Sequence, residues 1–163
     1  MTTLKDVKGY LQNNELEALK NVNNLKEIIN RRSLYHLTLL HDIIKSKNRS
    51  LSCCNNQNNL FSKENIIFLI EEGANLEAKE INGNTPLHTA VTENVDKSIL
   101  TALIYAKHWE CGDSCNCGFK ALHIKNKSDK TPIELENVNI GNWQLLFMEG
   151  LYIDLQSFSK LVW

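Results

Sequence analysis

Apolar residues along the chain recur mostly at spacings of three and four, the period of helices that bury one face. Leu4, Val7 and Leu11 share a face of a short helix over 4–11. Leu16, Leu19 and Val22 share a face of a second over 15–22, with Asn14 as its cap. Residues 24–33 read as a polar connection that holds an apolar pair, Ile28 and Ile29. A helix follows over 37–44. Residues 46–62 are polar, rich in asparagine and without period, the pattern of a loop between helices. Periodicity resumes over 63–72, where Ser62 is the cap and Ile66, Ile67, Leu69 and Ile70 point inward. Helices over 86–93 and 96–106 come next, the second with Ile99, Leu100, Leu103 and Ile104 on its packed face. After the aperiodic stretch 107–120, helices are expected over 143–149 and, as an amphipathic end piece with Leu155, Phe158 and Leu161, over 154–163. These elements predict an all-α chain.

The connection between the helices over 63–72 and 86–93 is the most specific stretch. Gly73 suits the left-handed conformation that closes a helix, and Asn82-Gly83 is a turn dipeptide that tolerates positive φ. Thr85 is placed as an N-cap with Pro86 at the first helical position, where its missing N–H leaves nothing unpaired. Thr85-Pro86-Leu87-His88-Thr89-Ala90 matches the T-P-L-H-x-A signature, and the chain here resembles the ankyrin repeat. Thr38-Leu39-Leu40-His41 is similar with leucine for proline, and Thr131-Pro132-Ile133-Glu134 with glutamate for histidine. Asp129 stands where Gly83 does, and Leu122 where Leu76 does. The three threonines are 47 and 46 residues apart, against an ankyrin period of about 33. Residues 46–62 and 107–120 are therefore read as two long insertions.

The resemblance implies an ankyrin-repeat solenoid of about four helix–turn–helix units. These are an N-terminal capping repeat over 1–32, repeats over 33–79 and 80–126, and a C-terminal repeat and cap over 127–163. It also implies that His41 and His88 are structural, each tying a turn to its neighbours by hydrogen bonds.

Composition narrows the function. The chain is 42% hydrophobic and 23% charged with a net charge of −1, which gives no electrostatic reason to expect nucleic acid or an anionic membrane as partner. No apolar run approaches the roughly 18 residues of a membrane span, and residues 1–6 lack the apolar stretch of a signal peptide. Five cysteines, an odd number, fit reduced thiols and an intracellular, cytoplasmic place. The seven glycines form no phosphate-binding loop, and no nucleophile motif or metalloprotease motif is present. No catalytic residue and no cofactor are expected. His108, Cys111, Cys115 and Cys117, with His123 nearby, are zinc-ligand types, but their C-x3-C-x-C spacing lacks the paired ligands of structural zinc sites. No metal is assigned; a zinc-stabilised adaptor is the alternative, which Cys53-Cys54 joins only if the two insertions meet.

What the resemblance implies about function is recognition of another protein by surface, through hairpin tips and the exposed side of each first helix. The partner-binding residues expected are Arg32, Lys79, Glu80, Ile81, Asn84, Thr89, Thr92, Glu93, Lys127 and Lys130. Ile81 is singled out because a turn tip needs no core residue, and the basic tips favour an acidic partner segment. A chain of repeats alone resembles small inhibitory ankyrin proteins of the IκB type. It is also similar to free-standing ankyrin proteins that insect viruses and intracellular bacteria direct at host signalling.

Overall fold

A computed structural model of the chain describes residues 2–49, 60–106 and 117–135. Eight α-helices and one 3-10 turn are formed there: α1 (Leu4–Gln12), α2 (Leu16–Lys20), α3 (Leu25–Asn30), α4 (Leu39–Arg49), α5 (Lys63–Glu71), α6 (Pro86–Thr92), α7 (Lys97–Ile104), α8 (Cys117–His123) and the turn Pro132–Glu134. Among the described residues all regular structure is helical, and no helix is long and apolar enough to cross a membrane. α4 packs on α6 and α6 on the 3-10 turn, while α5 packs on α7 and α7 on α8. Two rows of helices result, joined by the pairs α4–α5 and α6–α7. Between them lies one core in which Leu40, Ile43, Ile44, Ile66, Leu69 and Leu100 have no exposed surface. Apolar side chains three and four apart on each helix supply it, the expected consequence of the 3.6-residue period.

Four segments begin with a threonine whose N–H donates to the side chain three residues on, and in three of them, at Thr3, Thr85 and Thr131, the cap is reciprocal. The first N–H groups of a helix have no partner inside it, and a threonine followed three residues later by an acceptor satisfies them. Thr85 N–H donates to His88 Nδ1 at 3.2 Å, while the Thr85 hydroxyl oxygen accepts from His88 N–H at 3.4 Å. Thr38 N–H likewise donates to His41 Nδ1 at 3.3 Å. Thr131 N–H donates to the Glu134 carboxylate at 2.8 Å, so glutamate fills the histidine's place at the cap. The fourth is Thr3, whose N–H reaches the Asp6 carboxylate at 2.7 Å. Sequence reading overlooked this last box, although threonine with aspartate three residues on was its signal. Pro86 and Pro132 stand at the first position after the cap, where a proline disturbs no hydrogen bond.

Several expectations are corrected. The polar connection over 24–33 is largely helical: α3 buries Leu25 and Ile29, one turn apart. Helix α4 continues to Arg49, into the first expected insertion, and α8 occupies the end of the second. Asn14, at φ 59°, does not cap α2; Glu15 stands there and makes no side-chain cap bond. On α5 the buried set includes Phe68 at 4% exposure, whereas Ile67 is half-buried. The Ser62 cap holds, its hydroxyl accepting from Asn65 N–H at 3.0 Å. Cys53, Cys54, His108, Cys111 and Cys115, and the helices expected over 143–149 and 154–163, lie outside the described residues.

Candidate functional site

Three five-residue hairpins, 33–37, 80–84 and 126–130, each end immediately before a capping threonine. They share one set of backbone bonds. The N–H of the first residue (Ser33, Glu80, Asn126) donates to the carbonyl of the fifth at 2.9 Å in all three. The N–H of the fourth (His36, Gly83, Asp129) donates to the carbonyl of the first at 2.8–3.1 Å. The fourth residue holds positive φ each time, 59° at His36, 79° at Gly83 and 59° at Asp129. Glycine meets that requirement without strain, and aspartate tolerates it better than most residues. At Gly83 a Cβ would also lie 2.8 Å from Lys127 N, so the next hairpin's close approach needs the missing side chain.

The first side chain of each hairpin braces the turn from within. Ser33 Oγ accepts from Leu37 N–H at 3.2 Å. Glu80 Oε1 accepts from Asn82 N–H at 3.0 Å and Asn84 N–H at 3.4 Å. Asn126 Oδ1 accepts from Ser128 N–H at 2.9 Å and Lys130 N–H at 3.1 Å. Consecutive hairpins are then stitched together. Ile81 N–H donates to the Tyr35 carbonyl and Lys127 N–H to the Asn82 carbonyl, both at 3.0 Å. From the helix behind, His41 Nε2 bonds the Asn84 carbonyl at 3.1 Å, and His88 Nε2 bonds the Lys130 carbonyl at 3.0 Å.

No family model and no curated protein matches this chain.

The chemistry of the histidines follows from these bonds. Each Nδ1 accepts a backbone N–H, so the ring proton sits on Nε2 and is donated to the following hairpin. Burial pushes the His41 imidazole down to about 4 and also lowers that of His88. Both rings are neutral at pH 7, and both nitrogens of each are engaged in holding hairpins. Among the described residues no group of three or more histidine, cysteine, aspartate or glutamate side chains is placed to hold a metal ion.

Of the ten expected partner-binding residues, two are placed otherwise. Glu80 is 4% exposed, because its carboxylate folds back onto the turn. Thr89 is 3% exposed: its hydroxyl donates to the Thr85 carbonyl at 3.2 Å on α6, which packs between α4 and the 3-10 turn. Asn84 is half-buried and receives Asn126 Nδ2 on its Oδ1 at 2.9 Å. Lys79 is exposed, with its ammonium on the Lys125 carbonyl at 2.8 Å, and Thr92 is exposed at the end of α6. Glu93 and Lys130 are half-buried; Arg32, Ile81 and Lys127 are exposed. Two residues that sequence reading passed over complete the surface. Leu34 is 94% exposed and Tyr35 63%, at the second and third positions of the first hairpin. Their signal was the 47-residue offset that places Leu34 opposite the already noted Ile81.

Proposed function

We propose that the chain is an ankyrin-repeat solenoid that binds another protein through its hairpin tips and the adjoining faces of the first helices, acting as an inhibitor or adaptor without catalysis. The observation that carries this is the division of labour within each hairpin. Its first side chain fixes the turn, joined in the second and third hairpins by a histidine from the helix behind, and its second residue projects outward, as Leu34, Ile81 and Lys127. Two of those three are large and apolar, a choice the fold itself does not require, and exposed apolar groups held on a rigid frame are what a partner buries. The repeat of the threonine cap at 47- and 46-residue intervals supports the ankyrin assignment, as does the bond from each motif histidine to the next hairpin.

Site-specific photocrosslinking in cells tests the proposal. A benzophenone amino acid replaces Leu34 or Ile81 in separate variants, with Glu17 on α2 and Lys97 on α7, both exposed, as control positions. The expected result is one shared adduct from positions 34 and 81 that the controls do not give. Adducts of equal yield from position 97, or none from either tip, refute the tip surface as the binding site.

A further inference from the structure

Among the described residues the stitching between hairpins has an open edge. In the second and third hairpins the N–H of the outward residue, Ile81 or Lys127, is taken up by a carbonyl of the hairpin before it. The equivalent group in the first hairpin is the Leu34 N–H, and among the described residues it has no acceptor. Beside it a groove of about 260 Å³ is lined by Leu4, Lys8, Tyr35, Leu37, Leu39 and Asp42. Lys8 and Asp42 pair with each other across that groove, joining α1 to α4. The adjoining charges are different in kind. Arg31 and Arg32, directly before the hairpin, are exposed and form no ion pair among the described residues, and 31–36 contains no acidic residue.

We propose that this edge receives an extended acidic peptide segment of a partner protein. One of its backbone carbonyls accepts from Leu34 N–H, an apolar side chain enters the groove against Tyr35 and Leu37, and its carboxylates face Arg31 and Arg32. This rests on the reading of the hairpins as a protein-binding surface and names where and what they bind. The backbone bond continues a pattern the molecule already uses twice, the way a sheet edge adds a strand. The apolar contact supplies most of the affinity, and the exposed arginines select for charge and speed the encounter. A second copy of the chain suits the edge poorly. Among the described residues the hairpin that would continue the ladder is 126–130, whose Asp129 is already paired with Lys125 at 3.0 Å, and it would bring Lys127 and Lys130 towards Arg31 and Arg32.

The test uses the full chain, isotope-labelled, and a set of decapeptides of aspartate and glutamate with leucine or phenylalanine at two central positions. A matched set replaces every acidic residue with lysine. Amide shifts locate binding and fluorescence anisotropy measures it. The acidic set is expected to move the Leu34, Tyr35 and Ile81 amides, and the lysine set to move none of them. Leu34→Ala weakens binding. Leu34→Pro, which also removes the N–H, weakens it about fivefold further, the loss of one hydrogen bond. Proline fits there, since Leu34 is the second residue of a turn closed by the His36 N–H on the Ser33 carbonyl. The exposed double change Arg31→Glu with Arg32→Glu abolishes binding of the acidic set while helical content stays constant. Equal responses to both peptide sets, no response to either, or equal affinities for the alanine and proline variants overturn the proposal. So does a Leu34 amide shift that depends on protein concentration without peptide, which assigns the edge to a second copy. A tip crosslink in cells combined with peptides that do not bind leaves protein recognition standing and refutes this partner class.

Discussion

Acidification should loosen the hairpins before it reaches the carboxylates. His41 has no exposed surface, and burial holds its imidazole at about 4 when folded, against an ordinary value of 6.5. Between those values the unfolded chain binds a proton that the folded chain refuses, so stability rises with pH there. It is fully present above 6.5 and is lost as pH falls towards 4. At about 1.36 kcal/mol per pH unit the whole interval is worth about 3 kcal/mol, of which about 2 kcal/mol is gone by pH 5. His88, lowered by the same cause, adds a loss of the same sign. Asp6 and Glu134 are lowered by hydrogen bonds from Thr3 and Thr131, so their contributions disappear only below the usual carboxylate range, a lower window. Urea unfolding followed by circular dichroism at pH 7 and pH 5 measures the difference. With a urea slope of about 2 kcal/mol/M, the midpoint should fall by about 1 M. His41→Gln keeps a donor for the Asn84 carbonyl and cannot titrate, so its midpoint should fall by clearly less over the same interval. A wild-type midpoint that stays level from pH 7 to pH 5 refutes the buried, hairpin-bonded imidazole, and an equal fall in the glutamine variant assigns the loss to other groups.

Two further predictions separate what holds the hairpins from what they display. Gly83→Ala forces a side chain into φ 79° and to 2.8 Å from the Lys127 nitrogen, and should destabilise the chain by at least about 1 kcal/mol in the same urea assay. Glu80→Ala strips two turn N–H groups of their acceptor and should cost about 1–3 kcal/mol, while its neighbour Ile81→Ala should stay within about 0.5 kcal/mol of wild type and instead lower the yield of the crosslink formed from position 34.

The repeating parts of the fold were legible because backbone chemistry leaves marks in the sequence. Thr85, Pro86 and His88 satisfy the first turn of α6, and the same requirement at Thr38 and Thr131 admits only a few residue types. Gly83 was legible for a similar reason, since few residues accept its φ. Short helices were harder. Over six residues, Leu25 and Ile29 mark a helix face no more clearly than an apolar pair marks a loop, and only packing on α4 distinguishes them. α8 buries Ala121 and Leu122, too brief an apolar pattern to separate it from the polar stretch before it.

The hairpins show why the exposure of their residues was only partly legible in the sequence. Alternation along a turn gives no period from which inside and outside can be judged, so position at the hairpin tip served as the guide and placed Glu80 at the surface with its neighbours. Its carboxylate is instead the internal acceptor for two N–H groups, and Ser33 and Asn126 do the same work with a hydroxyl and an amide. What these three side chains share is an oxygen within reach of the turn, not charge or size. Once an oxygen is committed there, the next residue projects outward whatever its type: at Ile81 and Lys127 the N–H is drawn into the bond with the preceding hairpin, and Leu34 holds the same place in a turn closed by the same two backbone bonds. Leu34, Ile81 and Lys127 are thus exposed by backbone geometry. Their identities are left open by the fold, and an isoleucine and a 94% exposed leucine at such positions need a reason outside it.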